Sequence, residues 1–218
     1  MNGPVVSILL WGALLASVEV FGQGPITRPS PEELDAMREL MRAGPEHEAL
    51  SAFSGEWELS LHMGPRDGAS VLSGSARSYM TLENRFLWIG YRAGQGGSGM
   101  KGSFTLGFDR RHGRYDLIGM DSYGTYFIVS RGKADEETGR IKLYGTDDDP
   151  YMASLGYEKA FAHEIDMSEN DGFSIDVFYI DTRTEERKEQ RAMRFVFKRA
   201  QTTSDAGEEV EAPKPALD

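Results

Sequence analysis

The sequence predicts an all-β fold, an antiparallel β-barrel with a short helix across one end. Three observations carry this. Gly44-Pro45-Glu46-His47 opens a short helix, and Gly55-Glu56-Trp57 follows a short way on. From Gly55 the apolar period becomes two, the signature of half-buried strands. Thereafter short apolar runs alternate with Gly, Pro, Asn and Asp clusters, with no helical stretch between them. That argues against a parallel sheet, which needs crossover helices.

The elements follow in order. Residues 1–22 read as a secretory signal peptide. Val5 to Val18 is apolar, too short to span a bilayer comfortably, and leads to a small-residue cleavage site near Gly22. The leading Met1-Asn2-Gly3-Pro4 carries no Lys or Arg and Glu19 is unusual there, so a retained membrane anchor is the alternative. Residues 23–43 form a linker and a helix. Ser30 is its N-cap, Pro31 opens it, and Glu32 and Glu33 complement the dipole. Leu34, Met37, Leu40 and Met41 fall on one face. Pro45 starts the second helix, with Leu50 and Phe53 apolar.

Residues 44–200 hold the barrel. In the first strand Trp57, Leu59, Leu61 and Met63 alternate with Glu56, Glu58, Ser60 and His62. Further strands are expected near 71–82, 85–93, 100–109, 114–121, 124–132, 140–146, 158–167, 173–180 and 191–199. Thr184 to Arg194 mixes both charge signs and reads as a solvated hairpin tip. Residues 201–218 have almost no large apolar side chains and read as a disordered acidic tail.

Composition narrows the function. The 218-residue chain has a formal charge of −11, which repels nucleic acid and anionic membranes. It has no cysteine, which excludes disulfides, thiolate chemistry and a lipid-anchored lipoprotein. With the signal peptide, this describes a periplasmic or secreted protein that has no membrane contact after cleavage.

In their order and spacing, Gly44-Pro45-Glu46-His47, Gly55-Glu56-Trp57, Arg85-Phe86-Leu87 with Tyr91, Gly107-Phe108-Asp109, and Asp121-Ser122 with Gly124-Thr125 resemble a bacterial lipocalin-like family, the "domain of unknown function 1579". The resemblance covers about residues 44–199. It implies a lipocalin- or calycin-like barrel and assigns no catalytic activity. The chain departs from the family pattern at Trp88, Gly119 and the loop 149–157.

The candidate ligand-binding residues are Trp57, Leu59, Leu87, Tyr91, Leu117, Asp121, Thr125 and His163. Leu87, Ile89 and Tyr91 share one strand face, Phe86 and Trp88 the other, and periodicity alone does not choose between them. Asp121 shares parity with Tyr115, Leu117 and Gly119. It is either a polar anchor in the lumen, with Thr125, or a cap on the Ser122–Gly124 turn. His163 lies on the apolar face with Phe161 and Ile165. A lone histidine there is more often a satisfied interior residue than a haem ligand, and haem is the one cofactor it would suggest.

His47 reads as a structural tie between the plug helix and a strand, while His62 and His112 read as exposed. No His-x-His or Glu-x-x-His spacing supports a zinc site. Gly94 to Gly99 matches G-x-G-x-x-G, but a strand follows where a nucleotide loop needs a helix. Asp147 to Asp149 reads as a solvated turn ended by Pro150. Trp57, Tyr79, Tyr91, Phe104, Phe127, Phe173 and Tyr179 read first as core. The expected function is to hold a small apolar or amphipathic molecule in the barrel. The alternatives are an enzyme using Asp121 or a His as acid/base, and a filled-barrel interaction module.

Overall fold

The structure is a computed structural model and describes residues 29–66, 70–96, 99–169 and 171–200. The expected signal peptide, most of the linker and the acidic tail lie outside the described residues. The chain divides into two units, one ending at Glu39 and one beginning at Leu40.

In the first unit, helix α1 (Pro31–Leu40) starts as its sequence dictates. The Ser30 hydroxyl accepts from the Glu33 amide at 3.2 Å, and the Glu33 carboxylate accepts from the Ser30 amide at 2.7 Å, a capping box. Its apolar periodicity does not translate into burial, since no residue of α1 is buried.

The second unit holds helix α2 (Pro45–Ser51) and ten strands. These are β1 (Gly55–Met63), β2 (Val71–Thr81), β3 (Phe86–Ala93), β4 (Met100–Asp109), β5 (Arg114–Asp121), β6 (Phe127–Ala134), β7 (Ile141–Asp147), β8 (Lys159–Asp166), β9 (Gly172–Ile180) and β10 (Glu189–Arg199). Each pairs antiparallel with its sequence neighbour, and β1 pairs with β10, from Trp57 opposite Arg199 to Met63 opposite Met193. The sheet is therefore a closed barrel with no free edge.

The expected strands match closely, with three local differences. β6 starts at Phe127 rather than 124, because Ser122 to Tyr126 is spent on a turn. The tip before β10 is 181–188, so β10 begins at Glu189. The expected turn at Asp147 to Pro150 leads into a short helix α3 (Pro150–Ser154). Asp149 makes it, accepting from the amides of Tyr151 and Met152, with Pro150 pre-set at the first position.

Strand parity is the expected one in β1 and β3. Trp57, Leu59 and Leu61 face inward, as do Leu87, Ile89 and Tyr91. Trp88 lies outside, where it packs on Tyr79 at 5.0 Å between ring centroids. Tyr79, Phe127 and Tyr179 are thus not core. Tyr79 sits in that outer pair, and Phe127 and Tyr179 are 63% and 51% exposed. His62 is half-buried on the outer face rather than exposed, opposite Arg194. His112 is exposed, and its Nδ1 meets the Asp109 carboxylate at 2.7 Å.

Helix α2 packs against β2, β3 and β4 and closes one end. His47 is buried there, but it ties the helix to its own start rather than to a strand. Its Nδ1 accepts from the Gly44 amide at 3.0 Å, and its ring meets Phe108 edge-on. Trp57 is the anchor. Its Nε1–H donates to the Ser78 hydroxyl at 2.7 Å, and that hydroxyl donates to the Phe53 carbonyl at the exit of α2. The Trp57 ring stands against Phe173 at 5.0 Å, and Phe173 stacks on Phe197 at 4.2 Å. The Arg199 guanidinium lies 4.4 Å over the indole and reaches the Ala52 and Ser54 carbonyls. Gly55 fits beneath it with φ +152°, where a Cβ would meet the guanidinium at 2.7 Å. The Gly-x-Trp motif thus has a structural basis. Leu59, Leu87, Leu106 and Leu117 complete this filled half.

Trp57→Ala should cost ~3–5 kcal/mol, from the cavity and the lost donor. Denaturant unfolding checks it. Trp57→Phe should recover part of the loss, because it restores ring packing without the bond to Ser78.

Candidate functional site

Beyond the filled half the barrel is looser. At the end away from α2 lies a pocket of about 80 Å³, open to solvent, lined among others by Tyr91, Met100, Phe104, Asp121, Phe161 and His163. Its walls come from many strands. Tyr91 (β3), Gly102 (β4) and Asp121 (β5) stand in one cross-strand row. The Tyr91 ring lies across Gly102, where a Cβ would meet the Tyr91 hydroxyl at 2.4 Å. Gly102 therefore lets the phenol reach across β4 towards Asp121. Gly145 (β7) does the same for Phe161, whose ring atoms lie 2.6 Å from where a Cβ would stand. Phe104 stacks on Tyr91 and meets Phe195 edge-on, which forms the aromatic floor.

His163 is fully buried. Its Nδ1 is 3.1 Å from the Ser130 hydroxyl, and its Nε2 is buried with no hydrogen-bond partner. Phe104 and Phe161 pack edge-on against its ring. Ser130 is itself fully buried and is not part of the pocket wall, so it orients the imidazole from behind. Nδ1 is engaged there, and His163 itself is one of the residues around the pocket. Burial pulls the His163 pKa down to about 4, so the ring is neutral at physiological pH. A neutral imidazole offers one donor or one acceptor at Nε2, according to tautomer.

Burial, and then the Asp121 charge, push the Tyr91 phenol up, so it too stays neutral. Asp121 is half-buried, and its Oδ1 accepts from the Tyr123 amide at 2.8 Å. The turn-capping role and the pocket-wall role therefore coexist in one side chain. Lys159 also lines the pocket, with Nζ 3.0 Å from Asp147, 3.4 Å from Asp149 and 5.3 Å over the Tyr126 ring.

The expected site residues divide between the two halves. Tyr91, Asp121 and His163 line the pocket together. Trp57, Leu59, Leu87 and Leu117 are buried in the filled half and do not line it. Thr125 is exposed in the turn before β6 and points to no lumen, because the strand on which it would have alternated begins later. Ser130, Met100, Lys159 and Gly102 complete the site and were not singled out from the sequence. Inward parity with Ile128 was the one signal available for Ser130. Among the described residues no three His, Asp or Glu side chains are grouped to hold a metal ion. The Gly94 to Gly99 loop leads into strand β4, not a helix, and residues 97–98 lie outside the described residues.

A family model described as "Protein of unknown function (DUF1579)" matches residues 42–199. The chain belongs to this family. The match spans α2 and all ten strands, so the family's domain is the barrel, and its calycin-like fold is the one expected from the sequence. No curated protein matches. Among solved structures the chain is similar to the structure of EF1p2_mFAP2b bound to DFHBI, at 9% identity and TM-score 0.36, covering 71% of this chain and 98% of that one. It is also similar to a protein of unknown function of the DUF3598 family from Nostoc punctiforme PCC 73102, at 8% identity and TM-score 0.19, covering 72% and 100%.

The depressed His163 pKa makes a pH prediction. The folded protein keeps His163 neutral down to about pH 4, while the unfolded chain takes up the proton near the ordinary 6.5. Protons therefore favour unfolding across that window. Stability should fall as pH drops from 6.5 through 4, by on the order of 3 kcal/mol from this one group. Urea midpoints for wild type and His163→Phe, compared across that range, should diverge, with wild type losing more.

Proposed function

We propose that the protein holds a small, partly apolar molecule in the open half of its barrel, through a hydrogen bond to His163. The observation that carries this is the unpartnered Nε2 of His163, a buried residue that lines an open pocket. Leaving such an atom unpaired costs about 1–3 kcal/mol. A ligand that supplies the partner recovers that cost, and an aromatic floor accounts for the apolar body. The pocket of about 80 Å³ is well below the roughly 300–1,000 Å³ of drug-sized sites, so the molecule is small or protrudes from the mouth. The flexible thioethers of Met100 and Met193, both in the wall, give it some play. The reading needs no metal or cofactor. A haem would require the aromatic floor to be displaced.

The apolar segment Val5 to Val18 supports an exported protein that works in the periplasm or outside the cell. On this reading the native chain begins near Gln23, and mass-spectrometric sequencing of protein from its own host checks it. Intact chain bearing Met1 in the soluble cytosol would overturn export.

The binding test is native mass spectrometry of the same material. A co-purifying small molecule is expected on wild type. It should be lost from Met100→Phe, which pushes a larger and stiffer ring into the pocket, provided the melting curve shows the variant folded. A ligand retained by that variant would place binding elsewhere.

A further inference from the structure

We propose that the ligand of this pocket is a small organic ammonium ion, its charge held at the rim by Asp121 and its body lying among the aromatic rings. The inference rests on the binding reading above and names the charge class of the molecule.

The first argument is the geometry of the rim. Asp121 uses Oδ1 on the Tyr123 amide. Its Oδ2 makes no hydrogen bond among the described residues, and Asp121 is part of the pocket wall. The Tyr91 hydroxyl reaches towards it across Gly102. A carboxylate oxygen and a neutral phenol oxygen flanking one opening form a pair of acceptors suited to an N–H-rich cation.

The second argument is that this rim already holds an ammonium group. Lys159 Nζ lies over the Tyr126 ring and against Asp147 and Asp149. Tyr91, Phe161 and Tyr179 add further ring surfaces to the wall, and ring faces attract cations. Lys159 is the one cationic side chain among the lining residues, and two carboxylates more than offset it. With the lysine charge neutralised by Asp147 and Asp149, Asp121 is the lining charge left to a ligand. The formal charge of −11 on the whole chain draws cations to it.

The third argument is exclusion. An anion would face Asp121, and among the described lining residues the one cation, Lys159, is already paired, so the anion would be desolvated for nothing. A neutral molecule fits but gains nothing from Oδ2. Deeper in, the neutral His163 cannot compensate an anionic group, yet it can hydrogen-bond a hydroxyl at the inner end of the ligand.

The test uses three probes of one shape that differ in charge: 4-hydroxybenzylamine, 4-hydroxybenzyl alcohol and 4-hydroxybenzoate. Each is titrated into the full protein at neutral pH and followed by amide chemical shifts. The amine should bind tighter than the alcohol by about tenfold or more, the range for a hydrogen bond to a charged group. The carboxylate should bind weakest. In Asp121→Asn, which can still accept from the Tyr123 amide, the amine should lose its advantage over the alcohol, with melting confirming the fold. If the alcohol or the carboxylate binds as tightly as the amine, and Met100→Phe abolishes that binding, the ammonium inference is overturned while the pocket reading stands. If none of the three shifts any pocket resonance at millimolar concentration, both fail. If the amine's advantage survives in Asp121→Asn, the charge is held elsewhere and the inference is overturned.

Discussion

A short chain of hydrogen bonds organises this molecule. The Trp57 indole donates to Ser78, and Ser78 donates to the Phe53 carbonyl. Three elements meet there: the exit of the plug helix, the first strand and the second. Trp57 and Ser78 are buried, so each needs its partner, and the penalty for breaking their link falls on the next. Arg199 adds the last strand to the same knot from above the indole. Because the knot fixes the helix against β1, β2 and β10, leucines and phenylalanines can fill the barrel solidly at that end. What the other end does with its interior is then free to vary without loosening the closure.

The open half shows the opposite economy. Gly102 and Gly145 replace side chains with flat backbone, so Tyr91 and Phe161 lie across their neighbours instead of interdigitating with them. His163 is buried with half of its hydrogen-bonding capacity unused. Each choice forgoes stability that a leucine would supply. Natural domains accept such losses where a site demands them. Among the described residues the barrel is plugged at one end and has room at the other.

The strands were legible because two independent signals agree along the whole domain, alternation within runs and turn chemistry between them. Helix α2 was legible from Pro45 and the acids after it. The face of β3 was not, since Trp88 and Tyr91 are both large aromatics at opposite parity. Glycines decide it in space: Trp88 lies over Gly90 outside, and Tyr91 over Gly102 inside. The first pairing is local in sequence, but the second is made across strands. The same reason hid most of the site. Ser130 and His163 are thirty-three residues apart and meet across β7, so no local pattern links them. Thr125 was misplaced by a strand drawn three residues too long. Asp121 was legible because it ends an apolar run; it caps the following turn and lines the pocket.

The pairing of β1 with β10 has a consequence for how the chain is made. Trp57 cannot meet Arg199 until nearly the whole domain has been synthesised. Until then β1 and whichever strand was made last are both bare edges, ready to pair with another chain. Non-local pairing of this kind also slows folding, because the ends of a long loop must be brought together before any contact rewards it. The nascent barrel is therefore sticky throughout its synthesis and becomes inert only at its last strand. If the chain is exported unfolded, that vulnerable interval is moved to the far side of the membrane, where a holding chaperone rather than the ribosome would have to guard it.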